Sequence, residues 1–233
     1  MSDRPPYYPI FLDLAGRDAV LIGGGNVSAR KAETLMKCGA RVTIVAPQCT
    51  GEIAKWAGEG VLVWKQKTYE ASDVDGAAIV IASTNDPAVN EEIAADCRAR
   101  RIPVNVIDAA PLCDFIVPAV VDRGSVQIAV STGGRSPAFA RVVKQEIQSA
   151  IGSEHGELND ILGSLRDAAK ASPKLPADAD RKRFFDALLA RGILGMLREG
   201  RRREAYEAVA EICAAEDVAL SDLVRAGLAE PPS

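Results

Sequence analysis

The feature that most constrains the fold is a run of three glycines, Gly23–Gly25, between an apolar segment and a helical pattern. Residues 18–23 form the apolar segment, which is typical of a buried strand in a parallel sheet. Residues 27–38 follow with helical spacing, and Gly39 is a stop signal at their end. A strand, a glycine turn and a helix in this order predict the start of a βαβ unit.

The same alternation continues along the first half of the chain. Further strands are predicted at residues 41–46, 61–65, 77–83 and 104–107, with a helix at residues 87–100. Short connections between such segments favour right-handed crossovers around a parallel sheet. We therefore expect an α/β fold whose first domain is Rossmann-like.

The pattern changes after Asp108. Residues 115–121 and 125–131 are β-rich and flank Asp122-Arg-Gly124, which predicts a hairpin turn. A helix is predicted from Pro137 to residue 151, with Ser136 as its N-cap. From there on only helical patterns occur, at residues 156–170, 178–198, 201–215 and 218–229. We expect a Rossmann-like domain at 1–114, a dimerisation and substrate-turn region at 115–151 and a small helical domain at 152–233.

Composition excludes several classes of protein. The 233 residues carry 28 Lys and Arg against 32 Asp and Glu, a net charge of −4, which argues against a nucleic-acid partner. No apolar run approaches the ~20 residues of a membrane span, and the first residues lack a signal-peptide pattern. The five cysteines form no CxxC pair and His155 is the only histidine, so we expect no resident metal site. These observations predict a cytoplasmic protein without a membrane partner.

The glycine run matches G-x-G-x-x-S, a variant of the dinucleotide-binding fingerprint. Gly23 would permit the tight turn, and Gly25 would let the backbone approach a pyrophosphate at the helix N-terminus. The alternative is an ordinary strand-to-helix turn. The βαβ context favours dinucleotide binding.

The carboxylate that usually follows such glycines by about 20 residues, to bind the ribose, is absent. Pro47 and Gln48 occupy that place, and Gln48 is a candidate ribose partner. No arginine stands beside it to favour a 2′-phosphate. The residues alone leave the choice between NAD and NADP open.

Polar residues end two later strands at the same sheet edge. Ser83 and Thr84 follow the fourth strand and are candidate cofactor contacts, although either could instead cap the helix near Pro87. Asp108 ends the fifth strand, where a carboxylate would meet a ligand held over the sheet. The alternative for Asp108 is a solvated loop carboxylate or an Asx-turn.

A second candidate anion-binding turn precedes the helix at Pro137. Its substrate-binding candidates are Ser131, Gly133, Gly134 and Arg135, which combine small residues, paired glycines and a cation. The alternative is an ordinary strand-to-helix connection.

Taken in order, these motifs resemble precorrin-2 dehydrogenase, the module that forms the N-terminal part of sirohaem synthase. The resemblance covers residues 7–215. It rests on Pro9-Ile-Phe11, Gly23-Gly-Gly-x-Val-x-x-Arg-Lys31, Ala82-Ser-Thr-Asn-Asp86, Asn105-Val-Ile-Asp108, Phe115-Ile-Val-Pro118, Asp122-Arg123, Val130-Ser-Thr-Gly-Gly-x-Ser-Pro137 and Arg181-Lys-Arg-Phe-Phe185.

The resemblance implies an NAD-dependent oxidation of precorrin-2 to sirohydrochlorin, in sirohaem biosynthesis, by a homodimer. One alternative is a bifunctional enzyme that also inserts ferrous iron, and another is a non-catalytic dinucleotide-sensing module. The family's nucleotide contacts fall on Asn26, Val27, Pro47 and Gln48, its catalytic aspartate on Asp108, and a substrate-site serine on Ser131.

The charge balance adds one requirement to this interpretation. Precorrin-2 carries eight carboxylates whereas the chain is net acidic, so local cations must attract the substrate. The candidates are Arg17, Arg123, Arg135, Arg141 and Lys144, of which Arg135 is best placed because of its glycine turn. Asp108, at the sheet edge, is a suitable acceptor for the proton that the oxidation releases.

Overall fold

The computed structural model of this protein describes residues 7–229. The chain divides into two compact units, of which the first ends at Val117 and the second begins at Pro118. The further division that the sequence predicts at residue 151 stays a prediction. Within the described range, no helix has the length and apolar character needed to cross a bilayer.

The first unit is a five-stranded, wholly parallel sheet in the order β3-β2-β1-β4-β5. Its elements are β1 (Asp18–Ile22), α1 (Asn26–Lys37), β2 (Arg41–Val45), α2 (Gly51–Gly58), β3 (Val63–Lys65), β4 (Ile79–Ala82), α3 (Pro87–Ala99) and β5 (Val104–Val106). The predicted Rossmann-like α/β fold is confirmed.

The central strands β1 and β4 are apolar because both of their faces are covered. Leu21 pairs with Ile44 on one side and with Ile81 on the other, and all three side chains are buried. The strand order reverses between β1 and β4. In open α/β sheets, ligands bind in the crevice that such a reversal creates at the carboxyl ends of the strands.

Helix α2 is an element that the sequence patterns did not predict. Thr50 caps it, since its side-chain oxygen accepts a hydrogen bond from the backbone N–H of Ile53 at 3.4 Å. Ile53 is fully buried against the sheet. The eight-residue helix is too short to give a clear period, so the capping threonine was the available signal.

The second unit joins an antiparallel hairpin to a helical bundle. Its elements are β6 (Ala119–Arg123), β7 (Val126–Val130), α4 (Pro137–Ala150), α5 (Glu154–Ser164), α6 (Arg166–Ala171), α7 (Asp178–Ala190), α8 (Ile193–Arg198), α9 (Arg202–Ala215) and α10 (Asp222–Ala229). The bundle core contains Ile161, Leu165, Leu188, Ile193 and Val209, each without exposed surface.

The hairpin turn is not where the sequence predicted it. Arg123 pairs with Val126, so β6 continues through Asp122 and Arg123, and the turn consists of Gly124 and Ser125. Gly124 has a φ of 71°, as two-residue hairpin turns require at their first central position.

The predicted helix at 178–198 is also wrong in extent. It is divided at Gly192, whose φ of 80° lies in the left-handed region and cannot continue an α-helix.

Candidate functional site

A cleft of about 610 Å³ lies at the carboxyl end of the parallel sheet in the first unit. Residues after β1, β2, β3 and β4 line it, as expected at the reversal of strand order. Six of the predicted cofactor residues are among them: Gly23, Gly25, Pro47, Gln48, Ser83 and Thr84. Asn26 and Val27 begin α1 next to Gly25 and are not part of the lining.

Gly23 and Gly24 allow the loops that follow β1, β2 and β4 to pack closely together at this cleft. A Cβ on Gly23, which has a φ of 115°, would lie 2.8 Å from the carbonyl oxygen of Ser83. A Cβ on Gly24 would lie 2.1 Å from the carbonyl oxygen of Gln48. The backbone N–H of Thr50 also donates to the Gly24 carbonyl at 2.9 Å. Gly24 is a variable position in the fingerprint, so the sequence motif gave no indication of its role.

Gly25 differs because its surroundings are open. A Cβ at this position would meet no atom within 4 Å. Helix α1 begins immediately afterwards without a side-chain cap and without an acidic residue in its first turn. By contrast, Thr50 caps α2 and Asp86 caps α3. The first N–H groups of α1 therefore retain their capacity to bind an external anion, and the residues present fit a pyrophosphate.

Ser83 and Thr84, which follow β4, form another side of the cleft. The hydroxyl oxygens of Ser83 and the fully buried Ser28 lie 2.6 Å apart. The Thr84 hydroxyl donates to Oδ1 of Asn90 at 2.8 Å, and the Asn90 amide donates back to the Thr84 carbonyl. The alternative that Ser83 or Thr84 caps the following helix is wrong, because Asp86 accepts the hydrogen bonds from its first turn.

Sequence reasoning missed the contribution of the loop after β3, where Thr68 and Tyr69 line the cleft. The Tyr69 hydroxyl donates to Oδ2 of Asp96 at 2.9 Å. Burial, together with this hydrogen bond, raises the pKa of Tyr69, so its hydroxyl stays protonated. No motif covers this loop, and an aromatic residue just beyond a strand end was the only signal available.

The cleft is lined by uncharged residues. Within the part of the chain that the structure describes, no Asp, Glu, Lys, Arg or His side chain lines the cleft. Cys49 also lines the cleft, and burial raises the pKa of its thiol. The site therefore offers hydroxyl, amide and backbone groups to a ligand, with the dipole of α1 as its positive element.

Asp108 lies outside this lining. It follows β5 with a φ of 59°, in the left-handed region that aspartate adopts more readily than most residues. Its side chain is exposed and accepts no hydrogen bond from any residue in 7–229, which excludes the Asx-turn alternative. Ile107 donates its N–H to the Ala82 carbonyl, so Asp108 leaves the sheet beside β4, the strand that Ser83 follows. Its catalytic role stays a prediction.

The predicted second turn, in the other unit, is well ordered by hydrogen bonds. Ser131 Oγ accepts from the Gly133 N–H at 3.0 Å, and both Gly133 and Gly134 have positive φ angles. Ser136 caps α4 by accepting from its first turn. Arg135 is exposed, and its side chain meets no carboxylate within the described range. The substrate-binding role of this turn stays a prediction.

Arg123 has structural contacts that the sequence did not indicate. Its guanidinium donates to the carbonyls of Ile151 at 2.7 Å, Gln148 at 3.0 Å and Asp122 at 3.0 Å. Two of these carbonyls belong to the C-terminal end of α4, where helix carbonyls lack internal partners. Arg123 therefore fixes that helix end to the hairpin, and its predicted contact with substrate stays untested.

Two family models match the chain. An NAD(P)-binding model matches residues 10–119, which contain the whole cleft. A model of the central part of sirohaem biosynthesis proteins matches residues 123–150, which contain the hairpin turn, β7, the second turn and α4.

Curated relatives and a solved structure agree with these matches. The chain is 37% identical to a siroheme synthase of Psychrobacter sp. over 87% of its own length and 41% of that protein. It is 42% identical to that of Pseudomonas entomophila over 77% of its length and 38% of that protein, so it spans about two fifths of these relatives. The solved structure of SirC, a precorrin-2 dehydrogenase, is similar with a TM-score of 0.70 and 26% identity, over 88% of this chain and 98% of SirC. The chain is therefore similar to SirC over nearly the whole length of that protein, and to the matching part of the siroheme synthases.

Proposed function

We propose that this chain is an NAD-dependent dehydrogenase that oxidises precorrin-2 to sirohydrochlorin in sirohaem biosynthesis. The observation that carries the proposal is the uncharged, glycine-built cleft at the open N-terminus of α1. The similarity to SirC along 88% of the chain supports the choice of substrate.

The proposed binding mode follows from the strand order. The pyrophosphate would lie against Gly25 and the N–H groups of Asn26 and Val27. The adenosine half would extend towards Pro47 and Gln48, which follow β2. The nicotinamide half would then extend towards the other side of β1, where β4 and β5 end.

We propose NAD rather than NADP because the cleft lacks a cation. Gln48 is a neutral partner for the ribose hydroxyls, and no charged side chain lines the cleft within residues 7–229. A 2′-phosphate would lose hydration there without gaining a charge-assisted hydrogen bond. Titration should therefore give a lower dissociation constant for NAD than for NADP.

The reaction removes a hydride and a proton from the macrocycle. The bound cofactor supplies the hydride acceptor, so the protein must supply an acceptor for the proton. We assign this role to Asp108, because its carboxylate is exposed and the residue follows β5, which lies beside β4 and thus near Ser83. Ser83 and Thr84 would orient the cofactor, since both are held in place by buried partners.

Attraction of the substrate requires cations that are not already occupied. Arg135 meets this condition within the described residues, whereas the guanidinium of Arg123 is committed to backbone carbonyls. We propose that Arg135, with Ser131 and the N–H groups of Gly133 and Gly134, binds one or more substrate carboxylates.

We also propose a twofold dimer built from the hairpin and α4. Val120, Phe139 and Val142 are 38%, 59% and 46% exposed, respectively, in β6 and α4. The described hairpin is a sheet of only two strands, so each strand has an unpaired edge. An unpaired edge can form hydrogen bonds with a strand of another copy of the chain. Sedimentation at micromolar concentration should give the mass of a dimer, and a monomer would contradict this assembly.

The similarity to siroheme synthases favours a second candidate activity, the insertion of ferrous iron into the oxidised product. Iron would then be a substrate rather than a resident cofactor. The two activities are separable, because oxidation requires NAD whereas metal insertion does not change the oxidation state of the macrocycle.

One experiment distinguishes these functions. Precorrin-2 and NAD are incubated anaerobically with the protein, NADH and sirohydrochlorin are measured, and ferrous or cobaltous ion is then added. Equimolar NADH and sirohydrochlorin support the dehydrogenase. NAD binding without turnover would instead support a dinucleotide-sensing module. A further spectral change on adding metal, faster than without protein, would establish metal insertion.

A further inference from the structure

A second groove lies entirely within the second unit, between the α5–α6 pair and α7. Its volume is about 470 Å³, and its lining includes Asn159, Leu162, Arg166, Lys182, Phe185 and Asp186. None of these side chains belongs to the cleft or to the turn at Ser131–Ser136. Lys182 and Phe185 belong to the Arg181–Phe185 motif, to which no chemical role has been given.

The two cations of this groove have no ion-pair partner in residues 7–229, unlike the two arginines beside Lys182. The neighbours of Lys182, namely Arg181 and Arg183, are paired with Asp178 and Asp180. No carboxylate in residues 7–229 lies within 4 Å of the Arg166 guanidinium or the Lys182 ammonium, and Asp186 in the same groove does not pair with either. Two unpaired cations around one concave surface favour an external anion.

Leu162 and Phe185 form an apolar part of the groove, beside Asn159 and Asp186. Phe185 and Leu162 are partly buried and pack against the helical core. The ring of Phe185 meets that of Phe184 edge-on, with centroids 5.1 Å apart, which fixes its orientation. Asn159 is likewise held, because its amide donates to Ser125 Oγ at 2.9 Å. A ligand that satisfies both halves of the groove has a flat apolar body and carboxylate side chains.

We propose that this groove binds the carboxylates of a flat, polycarboxylated macrocycle, with Arg166 and Lys182 as its anion contacts and Phe185 as its apolar wall. Arg166 provides the directional contact, because a guanidinium pairs with a carboxylate through two parallel hydrogen bonds. Precorrin-2 belongs to this class of ligand, and its identification as the natural ligand of the groove rests on the proposed function.

The test is a fluorescence titration of the full chain with uroporphyrin, a stable porphyrin octacarboxylate. Arg166→Gln, Lys182→Gln and the double variant are compared with Arg225→Gln, which removes an exposed arginine of α10 without a carboxylate partner in residues 7–229. Because each exposed ion pair raises the binding constant by a factor of about two to five, the double variant should bind uroporphyrin roughly tenfold more weakly than the wild type. Arg225→Gln should change the affinity less than about twofold, and added salt should weaken wild-type binding.

Two further measurements test whether the loss of affinity is due to the contact between the cations and the ligand carboxylates. Uroporphyrin octamethyl ester has no anionic carboxylates, so its binding should not differ between the wild type and the double variant. Arg166→Lys preserves the charge but not the two parallel hydrogen bonds, so it should regain only part of the affinity that Arg166→Gln loses. Circular dichroism verifies that each variant is folded.

Equal affinity of the wild type and the double variant would overturn the proposal, as would equal losses in Arg225→Gln or no binding of uroporphyrin.

Kinetics with precorrin-2 separate this outcome from the proposed function. If the wild type oxidises precorrin-2 and the double variant has the same KM and the same uroporphyrin affinity, the groove assignment fails and the function stands. If uroporphyrin binding depends on the groove but precorrin-2 is not oxidised, the groove assignment stands and the function fails.

Discussion

The hydroxyl oxygens of Ser28 and Ser83 lie 2.6 Å apart at the carboxyl end of the parallel sheet. Ser28 is on α1 and has no exposed surface, whereas Ser83 follows β4 and lines the cleft. The pair therefore ties the helix that begins at the glycine turn to the strand beside it. A hydrogen bond between a buried and a partly buried hydroxyl is directional, so it fixes the spacing of the two sides of the cleft.

Removing either hydroxyl should have an unequal effect on stability. Ser83→Ala leaves the buried Ser28 hydroxyl without this partner and should lower the free energy of unfolding by about 1–3 kcal/mol. Ser28→Ala should cost about 1 kcal/mol, because Ser83 is partly exposed and its hydroxyl lies 3.4 Å from the Ile22 carbonyl. Urea denaturation of both variants and of the double variant measures the difference. Equal losses, or no loss in Ser83→Ala, would contradict the assigned role of the pair.

Gly156, in α5, is predicted to stabilise the second unit by allowing the hairpin turn to pack closely against this helix. A Cβ at this position would lie 1.8 Å from the carbonyl oxygen of Arg123, so Gly156→Ala must displace the hairpin turn from the helix. We expect the free energy of unfolding to fall by about 1–3 kcal/mol or more.

Gly163 in the same helix provides the matched control. A Cβ there meets open space, so Gly163→Ala should raise stability by about 0.5–1 kcal/mol. Similar unfolding midpoints in urea for the two variants would show that the hairpin does not depend on this contact.

The sequence was sufficient where a local pattern determines structure. The glycine run, the apolar strands and the capping Ser136 predicted the sheet, the cleft at its edge and the start of α4. Features that depend on distant contacts were missed. Tyr69 reaches the cleft because β3 lies beside β2, and Arg123 binds the end of α4 because the hairpin packs there. No periodicity encodes such contacts.

Asp73 should make stability depend on pH. Burial acts to raise the pKa of this carboxyl, but hydrogen bonds from Lys65, the Glu70 backbone N–H and Lys67 outweigh it, and the net effect lowers the pKa below 3.8. A carboxyl with a lowered pKa in the folded state stabilises the protein above the unfolded pKa and loses that contribution as pH falls through the folded pKa. The contribution should be complete at neutral pH and decline below about pH 4.

The variant Asp73→Asn isolates this effect. Its deficit in the free energy of unfolding should be largest at neutral pH and should shrink in acid, where wild-type Asp73 is also neutral. Urea denaturation at neutral pH and at pH values on both sides of 3.8 measures this trend. A deficit that does not change with pH would show that the ion pairs with Lys65 and Lys67 do not contribute.

Asp108→Asn should slow precorrin-2 oxidation without disturbing the backbone. Asparagine adopts the left-handed conformation of Asp108 as readily as aspartate, so folding should be preserved. General-base catalysis contributes about 10²–10⁴-fold, and the rate of NADH formation should fall by that range while NAD affinity stays nearly unchanged.

Asp217→Asn is the control for this substitution, because Asp217 is also exposed and has a φ of 54°. It should oxidise precorrin-2 at the wild-type rate. A wild-type rate in Asp108→Asn would remove Asp108 from the mechanism.

The most direct test of the account measures NADH formation with precorrin-2 in the wild type, Gly25→Asp and Gly58→Asp. A Cβ meets open space at both glycines, so both variants should fold, and only Gly25 lines the cleft. An aspartate at position 25 places a negative charge where the pyrophosphate would lie. The wild type and Gly58→Asp should form NADH and sirohydrochlorin in equal amounts, whereas Gly25→Asp should neither bind NAD nor form NADH. No NADH from the wild type, or the same rate in Gly25→Asp as in Gly58→Asp, would contradict the account.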